Sequence, residues 1–77
     1  MINWRERITS NPKVLVGKPA IKGTRIGVDL VLEKLGAGES IEQLLESYPH
    51  ITRDDVNACL LFAAETISHE SVFPTAV

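Results

Sequence analysis

The chain has one cysteine, four aromatic residues and no long apolar run. A single thiol, Cys59, closes no internal disulfide and offers too few ligands for a structural zinc site, so nothing covalent or metallic staples the fold. The longest uncharged, apolar-rich stretch, Val56 to Ala64, is about half of the ~20 residues that cross a bilayer. The opening Met1-Ile2-Asn3-Trp4-Arg5-Glu6 carries no secretory apolar core, and a cytoplasmic location is expected. Seventy-seven residues make one domain. A chain of this size buries only ~60% of the surface its unfolded form exposes, which leaves self-association as the remaining stabilising device. What the chain does have is 44% hydrophobic residues, enough for a folded domain and too many for wholesale disorder.

The net charge of -2 conceals an uneven distribution. From Met1 to Ile26, six cations (Arg5, Arg7, Lys13, Lys18, Lys22, Arg25) face only Glu6, a balance of +5. From Gly27 onward, Lys34 and Arg53 face nine carboxylates, a balance of -7. A basic head on an acidic body suits an anionic partner, or two faces that meet across a subunit contact, or simple solvation of both ends.

Breakers crowd the head: Asn11-Pro12, Gly17, Pro19, Gly23 and Gly27 leave room only for short strands and turns. Val14-Leu15-Val16 reads as one strand and Ala20-Ile21 as a second, with Gly17-Lys18-Pro19 turning between them and Thr24 to Ile26 as a further extended piece. The period then changes. Val28, Leu30, Val31, Leu32 and Leu35 predict a helix that stops at a glycine cap, Gly36 or Gly38. Ser40 and Gln43 form a capping box for a second helix, with Ile41, Leu44 and Leu45 facing inward, and Pro49 breaks the pattern after Tyr48. Thr52 caps a third helix whose first turn carries Asp54 and Asp55, where the helix dipole favours negative charge. Val56, Cys59, Leu60, Ala63 and Ile67 give one apolar stripe of that helix, and Leu61, Phe62 and Ala64 widen it. The width predicts either a helix sandwiched in the domain or a second apolar face, Leu60, Leu61, Phe62 and Ala64, for a homodimer. The expected layout is a head at 1–27, a helical body at 28–70 and a tail at 71–77.

No enzyme signature is present. The Gly17-Lys18-Pro19 to Gly23-Thr24 segment lacks the order of a phosphate-cradling loop, and His50 and His69 have no ligands at metal spacing, so no cofactor, metal or catalytic residue is expected. Cys59, on an apolar helical face without a basic neighbour, reads as a buried structural thiol. What remains is a short helix, the turn Tyr48-Pro49-His50-Ile51 and a longer helix, the arrangement that admits a recognition helix to a DNA major groove. Only Arg53 and Asn57 could read bases there, and Asp54 and Asp55 repel phosphates, so the basic head is at least as good a DNA contact.

The run Gly17-Lys18-Pro19-Ala20-Ile21-Lys22-Gly23-Thr24-Arg25-Ile26, then Val28, Val31, Leu35, Gly38-Glu39-Ser40-Ile41, Tyr48-Pro49 and Thr52-Arg53-Asp54-Asp55-Val56, closely resembles the bacterial domain of unknown function 433 family. The resemblance covers roughly Ile8 to Glu65. It implies a small helix-turn-helix protein that acts as an antitoxin beside a PIN-like ribonuclease toxin, in the manner of VapB antitoxins, with no residue-level site to carry over.

The expectation is therefore a mainly α fold: a three-helix, homeodomain-like helix-turn-helix body with a short N-terminal β-hairpin head. Lys18, Lys22, Thr24, Arg25, Arg53 and Asn57 are the candidate DNA or partner contacts. Operator DNA and a PIN-like toxin are the candidate partners, with a protein-interaction module that never touches DNA as the alternative. Arg25 either pairs with an acid of the body, locking head to body, or contacts phosphate or a partner. Trp4 is expected to anchor the core of the head rather than to serve as a stacking platform.

Overall fold

The architecture follows from where the chain can cap a helix. Thr52 Oγ1 accepts from Asp55 N–H at 3.2 Å while Asp55 Oδ2 accepts from Thr52 N–H at 2.9 Å, and this closed box starts the longest helix, Arg53–Ser68. Ser40 and Gln43 form the same reciprocal box, at 3.1 and 2.7 Å, ahead of Ile41–Ser47. Before it, Val28–Gly36 ends in a Schellman motif: Glu39 N–H donates to Lys34 O at 3.0 Å and Gly38 N–H to Leu35 O at 3.1 Å. Gly38 sits at φ +100°, which the motif requires and side chains resist. These three helices, α1 (Val28–Gly36), α2 (Ile41–Ser47) and α3 (Arg53–Ser68), form the body. The computed structural model describes residues 2–69; the expected tail at 71–77, and Glu70 at the end of the expected body, lie outside the described residues.

The head is a two-stranded antiparallel hairpin, β1 (Ile8–Thr9) and β2 (Ala20–Ile21), with Ile8 opposite Ile21 and Thr9 opposite Ala20. A turn of 3-10 helix, Trp4–Glu6, precedes it. Fold class is as expected, mainly helical with an N-terminal hairpin, but the hairpin is built differently. Val14-Leu15-Val16 is not a strand. Val14 makes one isolated bridge to Asn11, and Leu15 and Val16 adopt left-handed φ of 51° and 55°, followed by Gly17 at 83°. The chain thus coils left-handedly, closed by Gly17 N–H to Val14 O and Lys18 N–H to Leu15 O. β2's partner comes instead from Ile8–Thr9, eleven positions further back than Ala20 at the nearest residue pair. Of the expected extended piece at Thr24 to Ile26, Thr24 and Arg25 are bends, and only its end returns beside β2: Ile21 N–H donates to Ile26 O at 3.0 Å, and Gly27 bridges Ala20.

Head and body share one core. Ile8, Ala20 and Ile21 of the hairpin are buried with Val28 and Val31 of α1, Leu44 of α2, Ile51 of the α2–α3 turn, and Val56, Ala58 and Cys59 of α3. Neither half can close without the other, since two-residue strands have no independent stability. Ile51 is the peg of the helix-turn-helix: its N–H donates to Tyr48 O at 3.1 Å and its side chain enters the core, which fixes the angle between α2 and α3.

Candidate functional site

Half of the head's cations, Arg5, Arg7 and Lys18, are spent on carboxylates of the body. Arg7 pairs with Asp55 at 3.0 Å and reaches Asp54 at 3.6 Å, and Arg5 pairs with Glu65 at 2.7 Å while lying 4.6 Å over the Trp4 ring. Trp4 completes the clasp, donating its indole N–H to Glu65 at 2.5 Å and meeting Phe62 edge-on, ring centres 4.9 Å apart. The basic and acidic faces therefore meet within one chain, and Trp4 is a half-buried anchor between them. Head is locked to body, but through Arg5 and Arg7. No carboxylate among the described residues pairs with Arg25, so the expected Arg25 lock is absent.

At the start of α3, Arg53 forms an ion pair with Glu42 of α2, tying the two helices together. That guanidinium holds the Glu42 carboxyl below its ordinary range. The first exposed turn of α3 thus presents a neutralised arginine and the Asp54–Asp55 pair. Asn57, half-buried, lines a recess with Ile2, Leu60 and Leu61, beside the chain's N-terminal turn.

The outer face of α3 is apolar and uncovered. Val56, Ala58 and Cys59 turn inward, whereas Leu60 and Ile67 are 41% and 62% exposed and Ala64 lies between them on the surface. Leu60 and Ile67 share the periodic apolar stripe with the buried Val56, yet lie at the surface. Positions 56, 60, 63 and 67 stay within about 60° of one another around a 3.6-residue helix, but the buried side is centred further round, on Ala58 and Cys59, with Phe62 covered by Trp4. Of the four expected dimer residues, Leu60 and Ala64 are exposed, Leu61 is half-buried, and Phe62 is occupied with Trp4. Beside this face, a groove of about 290 Å³ runs between α1 and the second half of α3, lined by Pro19, Val28, Leu32, Phe62, Ala63 and Ile67 among others.

Arg25 stands elsewhere. Thr24 N–H and Thr24 Oγ1–H both donate to Ile21 O, at 3.0 and 2.8 Å, and Thr24 Oγ1 accepts from Ile26 N–H at 3.0 Å. The hydroxyl is thereby spent on closing the turn, whose third residue, Gly23, has the positive φ of 78° that the type II geometry needs. The turn aims Arg25 at the edge of a cleft of about 340 Å³ that Thr9 and Asn11 also line. Lys22 is exposed beside it, and Lys18 pairs loosely with Asp29 at 3.5 Å. The six candidate contacts therefore divide among separate places: Lys22, Thr24 and Arg25 at one turn, Lys18 near α1, Arg53 and Asn57 on α3. Thr9 and Asn11 had no signal in the sequence, because only the β1–β2 pairing brings them to Arg25.

Burial pushes the Cys59 thiol up to about 12, helped by the negative charge of Asp55. Glu65 is held below the ordinary carboxylate range, first by the Trp4 hydrogen bond and then by Arg5. Among the described residues no group of three His, Cys, Asp or Glu side chains could hold a metal ion, and no helix is long and apolar enough to cross a membrane.

These features define a small helix-turn-helix domain with a hairpin clasped to its last helix. Residues 8–63 match the model of a family described as protein of unknown function, DUF433, and the chain belongs to that family. It is similar to an uncharacterized protein, y4eO, of Sinorhizobium fredii (strain NBRC 101917 / NGR234), 36% identical over 59 residues; the match covers 77% of this chain and 27% of that relative. A crystal structure of a DUF433 member from Anabaena variabilis ATCC 29413 superposes with a TM-score of 0.76 at 27% identity, over 82% of this chain and 62% of the other.

Proposed function

We propose that the protein is the antitoxin of a bacterial type II toxin–antitoxin pair, a homodimer that restrains a PIN-like ribonuclease in the cytoplasm and binds its own operator. The observation that supports the protein-binding part is the uncovered face of α3, where Leu60, Ala64 and Ile67 stay at the surface of a domain whose core is otherwise closed. Contiguous exposed apolar surface on a small domain marks a protein contact. A module that binds a partner protein and never DNA is the second reading, favoured by the acidic first turn of α3 and by the engagement of Arg53 with Glu42.

The test is co-expression with a PIN-like nuclease encoded by the neighbouring gene. The expected result is a complex that co-purifies and suppresses RNA cleavage, and a Leu60→Glu, Ile67→Glu double variant that folds but loses the homodimer and, with it, the nuclease. Co-purification of the double variant at the wild-type level would move the contact off α3, and absence of any such complex would remove the antitoxin reading.

A further inference from the structure

The head's cations separate into spent and unspent charge. Of the four arginines, Arg5, Arg7 and Arg53 are each within 4 Å of a carboxylate, and among the described residues Arg25 is not. Lys13 and Lys22 are likewise exposed without a carboxylate at ion-pair distance. Arg25 lines a cleft of about 340 Å³ with Thr9, Asn11, Val14 and Ala20 among others, and the other two adjoin that lining in the chain, Lys13 between Asn11 and Val14 and Lys22 next to Gly23.

Its donors are held in place by other bonds. Asn11 Oδ1 accepts from Lys13 N–H at 2.9 Å, which orients the amide and leaves its N–H₂ to donate. Thr9 is fixed by its pairing with Ala20. Arg25 is set by the turn that Thr24 closes, so its five-donor fork projects from a rigid base. A guanidinium, a hydroxyl and an amide that line one recess are matched to a tetrahedral oxyanion. The volume holds such a group with part of what it is attached to.

We infer that this cleft seats a phosphate of a nucleic-acid backbone, with Arg25 as the bidentate donor, Thr9 and Asn11 completing the site, and Lys13 and Lys22 engaging neighbouring phosphates. The inference rests on the DNA-binding half of the proposed function and, of the two expected places of contact, the head and the start of α3, takes the head. Arg25 at the cleft, with Lys13 and Lys22 next to its lining residues in the chain, gives three cations without a carboxylate partner among the described residues, a spacing that fits a repeating anion better than an acidic protein surface. The nuclease half of that reading stands or falls separately, on co-purification.

Two measurements on the intact chain test it. Inorganic phosphate, titrated against chloride at constant ionic strength, is expected to shift the Thr9 and Arg25 amide resonances and the Arg25 Nε–H signal, leaving Arg53 and Asn57 in place. A twenty-base-pair duplex is expected to bind with an affinity that falls with salt, and Arg25→Gln should make the slope of log affinity against log salt less steep by about 0.9, the value of one phosphate contact. Arg25 is exposed and has no ion-pair partner among the described residues, so the variant should melt with the wild type, while Arg53→Gln should leave the slope alone. Loss of slope in Arg53→Gln with none in Arg25→Gln would overturn the cleft and keep DNA binding on α3. Absence of duplex binding by the wild type at low salt would overturn both. Equal competition by polyglutamate at matched charge would overturn the nucleic-acid assignment in favour of an acidic protein.

Discussion

Trp4 and Glu65, sixty-one positions apart, are joined by the indole N–H donating to the carboxylate at 2.5 Å, and this one bond ties the first turn of the chain to the end of the last helix. Arg5 holds the same carboxylate from the other side at 2.7 Å. The fold thereby favours ionised Glu65, whose carboxyl lies below the ordinary 4.5. A carboxylate of this kind contributes stability above its unfolded pKa and gives it up as pH falls through the folded one, so acid loosens the clasp and mild base does not. Trp4 is the only tryptophan. Its fluorescence should therefore change with a midpoint below 4.5, and Glu65→Gln should flatten that titration. A midpoint at or above 4.5 in the wild type would contradict the clasp.

Arg7 performs the same task nearer the turn. Its partner Asp55 is 13% exposed and already accepts from Thr52, so removing the guanidinium leaves a partly buried carboxylate with one support fewer. Arg7→Gln is expected to cost about 1 kcal/mol, the upper end for a partly exposed pair. The check is urea unfolding, with a lower midpoint at unchanged slope. Arg25→Gln, with no carboxylate to lose, should leave the midpoint where it is.

The body was legible in the sequence because its signals are local. Ser40 with Gln43, three positions apart, is a box and Thr52 is a cap, and each starts the helix it announces. The head was legible in part, its hairpin and the strand Ala20–Ile21, but the partner of that strand has no local determinant. Val14-Leu15-Val16 has the composition of a strand, yet Leu15 and Val16 are held left-handed, a conformation that no propensity of valine suggests. The true partner of Ala20–Ile21 lies across a loop whose closure is decided by the shared core. Charge was visible as a sum for each half, but which arginine meets which carboxylate depends on the hairpin's position. Arg5 and Arg7 both precede β1, the strand that packs on α3, and Arg25 follows β2 beyond the turn.

Val16 provides a direct measure of that left-handed turn. Its φ is 55° and its side chain is 94% exposed, so the strain of a β-branched residue is not offset by burial. Asparagine adopts this region at lower cost and does not enlarge the unfolded ensemble as glycine does. Val16→Asn should raise stability by about 0.5–1 kcal/mol, a gain that thermal or urea unfolding would register. A loss of stability would mean that Val16 makes contacts or adopts a conformation other than the one described.

Cys59 should react as a core residue. It is fully buried on α3 and its thiol is pushed up to about 12, so near neutrality almost none is thiolate. Labelling of the native protein is expected to be slow and to follow the opening of the fold, accelerating on addition of urea. Rapid labelling without denaturant would place α3 in a different rotation about its axis.

The outer face of α3 separates two substitutions that composition alone treats alike. Leu60 is 41% exposed and touches solvent on the face we assign to self-association, whereas Phe62 is half-buried and packs on Trp4 at 4.9 Å. Leu60→Glu should therefore change mass without changing the fold: light scattering on wild-type protein is expected to give a dimer, and on the variant a monomer with native circular dichroism. Phe62→Ala should act on the fold itself, costing about 2 kcal/mol because half of an aromatic side chain's burial and an edge-to-face pair are lost. It should also shift the Trp4 emission, since the ring loses its neighbour, and Leu60→Glu should not. A wild-type chain that stays monomeric at high concentration would remove the homodimer. A Leu60→Glu variant that remains dimeric would place the contact on the groove between α1 and α3, where Ile67 and Leu32 take over, and Ile67→Glu is the substitution that then distinguishes the two.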